Sequence, residues 1–165
     1  RPMSASKDVL PLWEWTLKRY RRNGVAQLCL AQQERYGADV NLLFLALWLG
    51  ARGQKLGSQD DPAAIVAAWH ETVVMPLRSA RRAMKGWPMP QDGPTHKDRD
   101  SVRAKIQAAE IETERLELAL LASWAASAVL AEAEAGVDTA LNNIRRVLPM
   151  AADDPDLARL AELCR

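Results

Sequence analysis

Two sets of charged side chains at helical spacing carry the chemistry this sequence could perform. Arg78, Arg81, Arg82 and Lys85 recur at i, i+3, i+4 and i+7, and Glu110, Glu114 and Glu117 at i, i+4 and i+7. Either spacing gathers its members on one face of an α-helix. If the two helices pack antiparallel, Arg78 or Arg81 reaches Glu110 and Glu114, where the planar guanidinium can give a carboxylate two parallel hydrogen bonds. Such a network fastens two helices together, and this structural reading is preferred. The other reading is an internal Arg/Glu-lined pocket whose arginines bind a small anionic or phosphorylated ligand. Unpaired arginines in a cleft would mark that case, because a buried charge without a partner is costly.

Other chemistry finds little support. His70 and Glu71 are adjacent and so point apart, no His-Glu-x-x-His or Glu-x-x-His spacing occurs, and His96 lies beside a turn-rich loop. The acidic stripe is only half of a bundle metal site, since a second acidic helix and its histidines are missing. Ser79, Ser101, Ser123 and Ser127 lack the context of an activated nucleophile. Cys29 sits in an apolar pattern, as a packed thiol does. The glycines lie at helix ends, and Gly53 with Gly57 is no phosphate-binding motif. No catalytic residue, metal or cofactor is expected, and the chain reads as a non-enzyme.

Tryptophans offer a different kind of site. Trp15, Trp48, Trp69 and Trp124 stand in apolar helical contexts and read as core, and Trp13 as core or rim. Trp87 is bracketed by Gly86 and Pro88 and followed by Met89 and Pro90. Exposed, Trp87 and Met89 would anchor a protein partner; folded back, they would cover the helices.

The elements that must position these groups are all helical. Pro11 opens a first helix running to Arg22, and Asn23-Gly24 breaks it. Val25–Tyr36 is a second helix with Gly37 as C-cap. Asp39 caps a third over the apolar run Val40 to Leu49, in which Asn41 serves as a cap or buried hydrogen bonder. Asp61-Pro62 opens a helix through Val74, and Pro76 either kinks it or ends it and starts another reaching Lys85. Three prolines and two glycines between Gly86 and Pro94 make a loop over about 86–97. A long central helix is expected from Asp98 to Ala135, acidic in its first half and apolar from Leu118 to Ala131, with Gly136 ending it. Asp138 and Asp154-Pro155 start two short final helices, the last carrying a Leu157, Leu160, Leu163 stripe. Arg1 to Lys7 reads as a loose terminus. The expected fold is all-α: a compact irregular or orthogonal bundle of six or seven helices around the long central one, in a single domain spanning 1–165.

The charge balance excludes more than it includes. A net charge of +1 gives no strong case for nucleic acid or an anionic membrane surface. Lys18 to Arg22 is a local basic cluster without a following recognition helix. Residues 106–165 hold five basic and eleven acidic side chains against nine and six in 1–62, so the halves complement one another. Two cysteines supply no disulfide framework, and the longest uncharged segments are too short for ordinary membrane spans. A cytoplasmic setting is the simplest.

Trp13, Tyr20, Gly24-Val25, Cys29-Leu30, Gln33 and the phrase from Tyr36 to Trp48 resemble a family of small proteobacterial proteins of unknown function. The likeness continues through Trp69, Pro76-Leu77-Arg78 and Arg81 and into the Ile106 to Leu121 helix. The resemblance implies one all-helical cytoplasmic domain and supplies no activity, cofactor or catalytic residue. The functional expectation is therefore a noncatalytic protein-binding or regulatory domain, acting through a protein partner or as a homodimer. The alternative is a small-ligand-binding protein or helical enzyme built on Arg78, Arg81, Glu110 and Glu114.

Overall fold

The computed structural model describes residues 9–165, so the Arg1 to Lys7 reading lies outside the described residues. The fold is all-α. The helices are α1 (Leu12–Tyr20), α2 (Val25–Tyr36), α3 (Val40–Ala51), α4 (Pro62–Trp69), α5 (Met75–Met84), α6 (His96–Ser127), α7 (Val137–Val147) and α8 (Pro155–Leu163). A π-helical turn, His70–Val74, joins α4 to α5 without a break, which leaves seven helical rods among the described residues. The chain divides into two compact units: residues 9–65 with Leu118–Arg165, and Val66–Glu117.

The first unit is built around α3. From Asn41 to Gly50 every residue of this helix is buried, as its nearly unbroken apolar sequence requires. Its start is fixed by Asp39, whose Oδ1 accepts a hydrogen bond from the Asn41 amide at 2.9 Å. Helix α7 packs closely against the end of α3, where Gly50 meets Ala140. Asn143, wholly buried on α7, accepts from the Leu56 amide at 2.9 Å and donates to the carbonyls of Gln54 at 2.9 Å and Ala46 at 3.3 Å. One side chain thereby ties α7 to three backbone groups of α3 and the segment that follows it. Helix α8 is capped by Asp154, whose carboxylate also accepts from Tyr36, Arg35 and Gln32 of α2. Its Leu157 and Leu160 are fully buried, whereas Leu163 is half-buried.

The long helix differs from expectation at its C-terminal end. It stops at Ser127 rather than running to Ala135, although neither glycine nor proline intervenes. Beyond it, Ala131–Glu132 pairs antiparallel with Gln54–Lys55, and the amides of Ala133 and Gly136 donate to the carbonyls of Gly53 and Gly50. Backbone pairing to a distant segment thus outweighs the helix propensity of the alanines. Val129 is 93% exposed, so the buried stripe of this half is the shorter Leu118, Leu121 and Ala125. The cap of α7 is Gly136, two residues before the expected Asp138, and the helix begins at Val137.

In the second unit, α5 and the part of α6 before Leu118 run antiparallel, joined by the loop that Gly86 and the three prolines predict. Thr95 and Asp98 set the start of α6 by a reciprocal capping box: the Asp98 carboxylate accepts from the Thr95 amide at 2.7 Å, and the Thr95 hydroxyl accepts from the Asp98 amide at 3.2 Å. Arg99 donates to the Trp87 carbonyl at 2.7 Å and so ties the loop to the helix.

Candidate functional site: a charged ladder between two helices

Pro76 shapes the local backbone of the site. It has no amide hydrogen, and in a regular α-helix its ring would crowd the carbonyl of Thr72. The helix neither ends nor loses its right-handed backbone there. Instead the turn before Pro76 widens, and the Met75 amide donates five residues back, to the His70 carbonyl. In a regular α-helix, eight residues would rotate His70 by about 80° from the line of Arg78. The wider turn takes up part of that rotation and brings His70 toward the same facing surface.

Along this surface the two helices exchange charges. Arg78 Nε donates to Glu110 Oε1 at 3.0 Å and its Nη2 to Glu114 Oε1 at 2.9 Å. Arg81 Nε donates to Glu110 Oε2, and Arg81 Nη2 to Glu110 Oε1 at 3.3 Å. Arg103 of α6 donates in the other direction, to the Arg81 carbonyl at 3.2 Å. Two turns along, the Trp69 indole donates to the Thr113 carbonyl at 3.0 Å. Next to it, His70 Nδ1 lies 3.2 Å from Glu117 Oε2, with Glu117 entirely buried and the imidazole 15% exposed.

The electrostatics differ along the ladder. Burial alone would raise the Glu110 carboxyl, but hydrogen bonds from Arg81 and Arg78 outweigh it and hold the group below its ordinary value. Burial pushes Glu114 the other way, above its ordinary value, and the neighbouring charges of Glu110 and Glu117 add to that shift against Arg78. One end is therefore a stable ion-pair cluster. The other holds the Glu114 carboxyl toward its protonated form.

The structure places each residue singled out by sequence. Arg78, Arg81, Glu110 and Glu114 come together as direct pairs, while Arg82 and Lys85 point to solvent. Trp87 is 58% exposed and Met89 half-buried on the loop, away from the ladder's paired atoms. Trp15 and Trp48 are core, Trp69 and Trp124 are half-buried, and His96 is exposed. Sequence reasoning missed the His70–Glu117 pair. Its signal was Pro76, which forces a change of helical phase just where His70 stands.

Elsewhere, the first unit holds a cavity of about 200 Å³ lined by Leu47, Ala140, Ala161, Cys164, Arg165 and other, small residues, and no ladder residue borders it. Burial raises the Cys29 thiol to about 12 and that of Cys164 to about 11, so both stay protonated and poorly nucleophilic. Among the described residues, no helix is long and apolar enough to cross a membrane.

No curated protein and no solved structure matches the chain. One family does, described as a protein of unknown function, DUF2390, and the match covers residues 11–121, which contain every member of the ladder. The chain belongs to the DUF2390 family.

Proposed function

We propose that the protein is a small-ligand-binding helical protein, and that the ligand is a cation taken at the His70–Glu117 end of the ladder. The observation that carries this reading is the imidazole of His70 set 3.2 Å from the buried carboxylate of Glu117 on a widened helical turn. Widened turns of this kind recur at functional sites. A nitrogen and a carboxylate donor side by side suit divalent zinc or manganese. An anion would have to displace Glu110 from Arg78 and Arg81, which makes the arginines poor receivers.

Calorimetric titration with Zn²⁺ and with Mn²⁺ tests this. The wild-type chain should bind one equivalent of at least one of them, with His70→Ala and Glu117→Gln weakening binding at least tenfold. Circular dichroism checks that both variants remain helical. Absence of metal binding, together with inorganic phosphate binding that Arg78→Gln abolishes, would replace the cation reading with the anionic one.

A second reading, a noncatalytic protein-binding or regulatory domain, is favoured by the exposed Trp87 indole on a loop held by Arg99. Trp87→Ala should then remove a partner that the intact chain retains from cell extract. An unchanged set of bound proteins would end the role of Trp87 as an anchor.

A further inference from the structure

On α6, the side of the helix next to the ladder carries a second pattern. Val102, Ile106, Ala109, Thr113 and Leu116 follow one another at steps of four, three, four and three residues. That alternation is the heptad seam by which one helix packs along another. Yet Val102 and Leu116 are each 48% exposed, Ala109 is exposed, and Ile106 and Thr113 are only half-buried. One flank of the seam is occupied, since Arg103 and Glu110 bind α5. On its other flank Lys105 and Glu112 are both exposed.

We infer that this seam joins two copies of the chain, with the two α6 helices antiparallel about a two-fold axis crossing the seam midway between Ile106 and Ala109. The charges select this occupant. In an antiparallel pair of heptad helices, Ile106 lies against Ala109 of the second copy and Val102 against Thr113. The same register sets Lys105 beside Glu112 of the second copy, and by symmetry Glu112 beside its Lys105. An isologous interface requires such self-complementarity. A parallel pair would instead place Lys105 beside the occupied flank of the second copy and leave these charges without each other. Size agrees with charge at the centre, because Ile106 meets the small and exposed Ala109, which lets the backbones approach. The seam spans about 20 Å of helix at 1.5 Å per residue, so the area is modest and the dimer should be a weak, concentration-dependent one.

Sedimentation equilibrium of the full chain across micromolar to millimolar concentrations measures this association. The wild-type protein should dimerise. Lys105→Glu alone and Glu112→Lys alone should each weaken the dimer roughly tenfold, because two attractive pairs become two repulsive ones. The double variant K105E/E112K exchanges the partners and should restore association. Both positions are exposed, so folding is not at stake. A wild-type chain monomeric at millimolar concentration would overturn the inference. So would a dimer unaffected by the single reversals, or one in which the double variant fails to recover.

Discussion

Glu110→Ala should lower the thermal midpoint by about 6–12 °C, corresponding to a loss of roughly 3 kcal/mol. The magnitude follows from what the substitution leaves behind. Glu110 is 4% exposed and accepts from both Arg78 and Arg81, whose side chains are 12% and 19% exposed. Removing the carboxylate strands two guanidiniums in a partly dry contact, and the cost of breaking a buried pair from one side is about 3–5 kcal/mol. The lower end applies because both arginines retain an edge toward water, and Arg78 keeps Glu114. Replacing the whole cluster together, with Glu110→Leu, Arg78→Met and Arg81→Leu, should recover most of the loss, since apolar packing replaces buried ion pairs at little net cost. If the triple variant were as unstable as the single one, the ladder would contribute attraction rather than merely avoid penalty.

The same cluster gives the unit a two-stage response to acid. Glu114 has its folded-state pKa above the ordinary value, so stability rises as pH falls through that raised value. Glu110 has its folded-state pKa below the ordinary value. Its contribution is present above the unfolded value and is lost as pH falls through the depressed one. Thermal midpoints should therefore climb slightly in mild acid and fall in stronger acid. Glu114→Gln should remove the climb while leaving the fall.

The parts of this architecture legible in the sequence are those governed by neighbours a turn away. Asp39, Asp61-Pro62 and Asp154-Pro155 announce helix starts because capping is a contact across two or three residues, and each of these carboxylates accepts an amide there. The Arg78, Arg81 and Glu110, Glu114 faces were readable for the same reason, as spacing alone sets a helical face. The end of α6 was not, because it is decided by pairing with Gln54–Lys55, more than seventy residues earlier. Asn143 gave no sign either: an asparagine in a polar-looking helix becomes the clamp of the first unit only once Ala46, Gln54 and Leu56 converge on it. His70 lies between these cases. Its neighbour Pro76 was visible, but the choice between a kink, a stop and a widened turn depends on which arrangement lets the helix stay packed.

Gly50→Ala should be as damaging as the loss of Glu110, though it adds only a methyl group. At Gly50 an added Cβ would stand 2.4 Å from Ala140 Cα and 2.5 Å from Ala140 N. Those atoms are backbone of α7 and cannot rotate away, so one helix must move. Movement also strains the Gly136 amide's bond to the Gly50 carbonyl and the Asn143 clamp one turn further along α7. Overpacking of this sort costs about 1–3 kcal/mol and sometimes more, and coupling to buried hydrogen bonds places this case at the upper end. Gly57→Ala is the matched control. There the new Cβ would also come close, at 2.7 Å, but to the Oε1 atom of Gln59, which can swing aside. Chemical denaturation should show the first variant losing about 3 kcal/mol and the second less than 1 kcal/mol. Equal losses would mean that α7 is free to slide on α3, and the close approach of Gly50 and Ala140 would then have no part in holding the first unit together.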